Sequence, residues 1–253
     1  MERCATRGVA ATLGGADVSR LFVPTAGTSD WRRLLADSDS QWRAARPAFE
    51  VAVAWEGARL TERGLPPSAE ELFDASYAFR GASLLMGIPE HDIRITDRQH
   101  GTKADFWALL DATVGVTSMA VEATSGETLH RSAREWLEIA TLDGARGARL
   151  DRLCELLDMT RNEALDCSYQ LLQRTAAAIA EARRFRLQNA FLLLYVLGDH
   201  AAPLAAYQHF LRVLGGDGGK DEVVGVGRRG GVDLWLGWLS GEPASDAVVR
   251  SAV

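Results

Sequence analysis

The stretch HGTKADFWALLDATVGVTSMAVEATSGE, His100 to Glu127, decides how this chain is read. It holds two apolar runs, DFWALLDAT and VTSMAVEAT, separated by Val114-Gly115, and the glycine-containing junction predicts an antiparallel hairpin. One acid, Asp105, opens the first run, and another, Glu122, lies near the end of the second. Residues i and i+2 of a strand share a face, so Glu122 goes with Thr124, and Lys103 goes with Asp105. Pairing the two strands brings the start of one beside the end of the other, and with it the two acids. An ionised carboxylate buried without a partner costs several kcal/mol, so such a pair should hold a metal, an arginine or a substrate.

Outward from this hairpin, the chain alternates helical and extended patterns. Leu21–Thr25 (LFVPT) reads as a short strand and SDWRRLLADSD as a helix capped by Ser29 or Asp30. PAFEVAVAWEGARLTERG reads as a helix carrying Glu56, ended by Gly64 and Pro66-Pro67. SAEELFDASYAF reads as another, with Ser68 and Glu71 spaced as a capping box. ASLLMGIPEHDIRI is a strand with a turn or bulge expected across Pro89–Asp92. Beyond the hairpin come helical patterns in TLHRSAREWLEIA, RLDRLCELLDM and ALDCSYQLLQRTAAAIAEARRF, then the buried strand AFLLLYVLG and the helix APLAAYQHFLRVLG. A glycine-rich loop precedes a last strand, VDLWLGWLSG. The order α, β, β, β, α, β predicts an α/β fold, a mixed sheet flanked by helices, with helical additions between Thr128 and Met159. Residues 1–20 and 242–253 read as tails around one domain, 21–241.

Composition narrows the function. With 253 residues and 47% hydrophobic content, one α/β core is readily filled. A net charge of −6 argues against non-specific coating of nucleic acid, although local arginine clusters could serve one groove. Cys4, Cys154 and Cys167 have neither disulfide-framework nor zinc spacing, which fits a reducing cytoplasm. The longest apolar run, Ala190–Gly198, is far below the ~20 residues that cross a bilayer, so no membrane contact is expected. Lysine is nearly absent, with Lys103 and Lys220 the only two.

Two carboxylates with hard oxygen ligands suit Mg²⁺ or Mn²⁺. Gln170 and Arg174, four apart, share a helix face that could bind substrate, or form a packing stripe with an Arg–carboxylate bridge. His100 lies five residues before Asp105, while the remaining histidines lack metal-ligand spacing. Arg183, Arg184 and Arg186 read as a solvated helix end, and the seven tryptophans as core.

On GTKAD…AVEAT, with a preceding helix carrying Glu56 and a following helix carrying YQLLQRT, the chain resembles the PD-(D/E)XK nuclease superfamily, restriction-endonuclease-like in fold. FVPT…DWRRLLAD…W…WE, YQLLQRT and LGW also resemble an uncharacterised bacterial family placed near it. The resemblance spans about Leu21 to Gly241. It implies Asp105 and Glu122 as ligands of Mg²⁺, Glu56 as the acid of the first helix, and a metal-dependent nuclease or phosphodiesterase. The lysine of the pattern is Thr124 here, and Lys103 is the candidate for a relocated ammonium. That departure leaves a second class open: a metal-free member acting on or binding a small molecule, with Gln170, Arg174 and Thr124 lining its site, or a non-catalytic interaction protein. Nucleic acid or a small molecule is the expected partner, and a homodimer is compatible with either.

Overall fold

A computed structural model describes residues 20–35, 42–43, 46–95, 101–125, 129, 131–139, 144–198 and 200–241. Six strands form one mixed sheet in the order β1-β2-β3-β4-β6-β5. β1 (Ser83–Ile93), β2 (Thr102–Asp111) and β3 (Thr117–Thr124) make an antiparallel meander, with the expected hairpin between β2 and β3. β4 (Asn189–Leu197) runs parallel to β3 on one side and to β6 (Val232–Gly241) on the other.

This placement explains the composition of β4. The segment NAFLLLYVL has no polar alternation because helices cover both faces of the sheet there, and every residue of the strand is buried. Phe191, Leu193, Tyr195 and Leu197 enter one core, with α1 (Pro47–Ala58) and α2 (Pro67–Ala75). Ala190, Leu192, Leu194 and Val196 enter the other, with α4 (Gly144–Leu157), α6 (Tyr169–Arg184) and α7 (Ala201–Val213). The first core is strongly aromatic, with Phe191 packed on Phe79 at 4.9 Å and Phe73 at 5.7 Å between centroids.

Several local expectations give way to tertiary structure. Leu21–Thr25 is not an independent strand: Leu21 makes a single bridge to Gly87 on the outer edge of β1. The next segment is a short 3₁₀ helix, Thr28–Leu34, rather than a helix reaching Asp39, although residues 36–40 lie outside the described set. The Ser68–Glu71 capping box does not form, because α2 begins one residue earlier, at Pro67, which needs no N–H donor there. The long helix expected from Ala164 is split: α5 (Arg161–Leu165) ends, Ser168 bridges to Ser132, and α6 begins at Tyr169 with Ser168 as its cap. α3 (Ala133–Glu138) precedes α4 in the same addition. The glycine-rich loop contains a strand, β5 (Val223–Arg229), whose Gly225 accommodates the Trp235 ring at a distance no side chain would permit. The tails lie outside the described residues, apart from Arg20.

Phe191→Ala should cost about 3–5 kcal/mol, the usual penalty for emptying a fully buried aromatic site. Urea denaturation should show a lower midpoint with an unchanged slope.

Candidate functional site

The acids converge at one end of the sheet, near the carboxyl end of β3, as a row across three strands. Pro89 pairs with Phe106 and His91 with Ala104, which sets Glu90 against Asp105. Phe106 pairs with Val121, so the next rung sets Asp105 against Glu122. The β2–β3 ladder stops there, and the Ala123 N–H instead donates to Asp105 Oδ2 at 2.7 Å. The side chain of Asp105 thus closes the ladder that its own backbone has left.

Glu122 is buried and engaged from α6. Gln170 Nε2 donates to its Oε1 at 2.6 Å, and Arg174 Nε lies 2.7 Å from its Oε2. One helical turn separates Gln170 from Arg174, so a single face of α6 meets both carboxylate oxygens. Arg174 Nη1 donates also to Thr102 Oγ1 and to the Lys103 carbonyl, which ties α6 to the first rungs of β2. The Arg–carboxylate bridge read from the sequence as one alternative therefore exists, and it is made to Glu122.

Lys103 is placed differently from expectation. Its Nζ donates to the Leu34 carbonyl at 3.0 Å and stays 3.8 Å from Glu90 Oε2, so the cation on the motif acid is Arg174. Thr124 is buried at the end of β3, two residues beyond Glu122. Glu56 sits on α1, which packs on the opposite face of the sheet from α6. Its Oε2 accepts from Thr25 Oγ1 at 2.6 Å and Trp31 Nε1 at 2.8 Å, and its Oε1 lies 2.9 Å from Arg59 Nε. With these partners, Glu56 is the anchor of the 3₁₀ helix rather than an ion ligand. His100 lies outside the described residues.

Glu90 is the member that sequence reading missed. It falls inside the expected turn or bulge; β1 does not turn there but continues through it with a φ of 50°, a left-handed conformation that a glutamate seldom adopts. The available signal was an acid directly after the apolar run LLMGIP in the strand SLLMGIPEHDI.

Burial dominates the electrostatics. Desolvation pushes Glu90 up to about 8, with Asp105 adding to the effect and Lys103 opposing it. Desolvation pushes Glu122 to about 7 against the pull of Arg174, and it raises Asp105 against Arg174 and the Ala123 N–H. Burial alone would lower Arg174, but Glu122 and Asp105 outweigh it, so the guanidinium stays charged. Among the described residues no three His, Cys, Asp or Glu side chains are grouped to hold one metal ion.

A family model described as a domain of unknown function, DUF6946, matches residues 24–243, most of the chain. The chain belongs to the DUF6946 family. No curated protein and no solved structure matches it. The match covers every strand of this DUF6946 chain, so the acid row and the helix that closes on it both lie within the family's domain. No described helix is long and apolar enough to cross a membrane.

Two outcomes follow. Above the ordinary glutamate value of 4.5, the folded protein keeps a proton on Glu90 that the unfolded chain has released, so stability falls as pH rises toward about 8. With a chelator present, Glu90→Gln should remove about 2–4 kcal/mol of that fall, at about 1.4 kcal/mol per pH unit, as read from urea midpoints at pH 5 and pH 8.5. Glu56→Gln should lower stability by about 1–3 kcal/mol through its buried donors and Arg59, as read from the same midpoints.

Proposed function

We propose that this DUF6946 protein hydrolyses phosphodiester bonds, as a variant of the PD-(D/E)XK-like nucleases that its motifs resemble, with Arg174 supplying the positive charge that the motif lysine would bring. The observation that carries this reading is the juxtaposition of Asp105, Glu122 and Arg174 at one end of the sheet. The same segments, GTKAD and AVEAT, carry the resemblance in the sequence.

The implied ion is Mg²⁺, and the donor set fits it in part. The row holds three carboxylates against two nearby cations, all of them hard ligands or charges, and Mg²⁺ commonly takes only one or two carboxylates and fills its shell with water and phosphate oxygens. Asp105, with one oxygen on the Ala123 N–H and the other outside any hydrogen bond among the described residues, would hold it. Bound there, the ion would neutralise phosphate charge and make a bound water more acidic. Glu122, at about 7, can take a proton near neutrality, and Gln170 fixes its orientation. Arg174 holds a permanent charge between Glu122 and Asp105, where negative charge would develop on a phosphate.

A second reading is favoured by the same bridge. Because both oxygens of Glu122 are occupied, the site is also that of a metal-free relative that binds a small molecule through Gln170 and Arg174.

The test is cleavage of single-stranded DNA, duplex DNA and RNA with Mg²⁺ or Mn²⁺. Cleavage is expected, lost by ~10²-fold or more in Asp105→Asn and reduced comparably in Arg174→Gln, while Arg174→Lys keeps part of it. Lys103→Ala should cost only a few-fold, since its ammonium is committed to Leu34. A folded wild-type protein that cleaves none of these with either ion rules out the hydrolase and leaves the metal-free reading.

A further inference from the structure

Of the carboxylates that the sequence resemblance points to, only Asp105 keeps an oxygen outside any hydrogen bond among the described residues. Glu122 is occupied by Gln170 and Arg174, and Glu56 by Thr25, Trp31 and Arg59. Glu90 is different. Its side chain is only 9% exposed, and it accepts no hydrogen bond among the described residues. Its one ion-pair neighbour, Lys103 Nζ at 3.8 Å, donates instead to Leu34. A carboxylate nine-tenths buried and without a hydrogen bond is a costly arrangement unless something else binds it.

Strand geometry says where it points. Met86 and Ile88 pack into the α6-side core, and so does Ile93, while His91 reaches Glu181 of α6 at 2.7 Å. Beyond the register shift at Leu84–Met86, even-numbered residues face α6 before Glu90 and odd-numbered ones after it, so the strand changes phase at that residue. β2 does the same across the rung: Trp107 and Ala104 both enter the α6-side core, although they differ in parity. Both strands switch face at the Glu90–Asp105 rung, which frees these two side chains from filling either core. The Asp105 charge acts directly on Glu90, and two carboxylates this close across neighbouring strands can meet on one ion with ligand distances of about 2 Å.

We propose that the Glu90–Asp105 rung is the divalent-cation site of this protein, taking Mg²⁺ or Mn²⁺ with two carboxylates and with water or phosphate oxygens at the remaining positions. The proposal deepens the hydrolase reading, on which it rests for the role of the ion. It moves the ion from the β2–β3 rung to the β1–β2 rung. Glu122, held by α6, is then left for the proton rather than for the ion.

Isothermal calorimetry and the electron paramagnetic resonance of bound Mn²⁺, on the full-length chain, test it without reference to activity. Wild type should bind Mn²⁺ and release it to excess Mg²⁺. Glu90→Gln and Asp105→Asn should each weaken binding by at least about 10-fold, more than loss of a merely supporting contact at the low end of its range. Glu122→Gln and Glu56→Gln should stay within about 3-fold of wild type. Glu90→Gln replaces the carboxyl group without changing its shape, and circular dichroism checks that it is folded. If Glu90→Gln binds Mn²⁺ as wild type does, or if wild type binds none at millimolar concentration, the site is not there. Ion binding that depends on Glu90, without cleavage of any phosphodiester, upholds the site and removes the hydrolase reading. Cleavage that survives Glu90→Gln does the reverse.

Discussion

The contact on which the rest of the site depends is the buried pairing of Arg174 with Glu122. A guanidinium and a carboxylate taken out of water lose hydration that their mutual attraction only repays when further hydrogen bonds complete the set. Here Gln170, Thr102 and the Lys103 carbonyl supply those bonds, while Arg174 Nε and Glu122 Oε2 meet as an ion pair at 2.7 Å. The same bonds join three elements, β2, β3 and α6, so the position of the helix over the sheet and the orientation of the motif acid are fixed together. Removing the arginine would leave Glu122 buried without its cation, which is why its substitution reaches further than the loss of one charge.

For the hydrolase proposed above, this contact stands where the resembled pattern has its lysine. The position two residues after Glu122 is a threonine at the buried end of β3, where an ammonium would have to be desolvated in the space that Arg174 already serves. Arginine suits that place better: it stays ionised under burial, and its planar fork reaches two strands at once.

The sheet was legible in the sequence where a pattern had one explanation. The hairpin at Val114-Gly115, the apolar β4 and the pairing of Asp105 with Glu122 follow from strand periodicity and a glycine turn. What was not legible depends on contacts between distant segments. Glu56 looks like a helix acid, and only the packing of the 3₁₀ helix shows that Thr25 and Trp31 claim it. β5 was hidden because its glycines read as loop, whereas one of them, Gly225, lets the Trp235 ring approach the strand. Glu90 was hidden by Pro89, since a proline inside a strand suggests a turn, whereas β1 is an edge strand and tolerates it.

The central position of β4 also has a consequence for how the chain reaches this state. β1, β2 and β3 are joined by short connections and pair with their sequence neighbours, so their ladders close small loops. β4 meets β3 only after the whole of the helical addition and α6 have been spanned, with Thr117 against Asn189, and it meets β6 across a further long connection, with Asn189 against Asp233. Closing longer loops costs more entropy before any contact repays it, and parallel pairings of this kind slow folding. The meander can therefore bring Glu90, Asp105 and Glu122 together before Arg174 arrives. During synthesis the three acids are made well ahead of the arginine that pairs with Glu122, and they are buried only once α6 closes over the sheet.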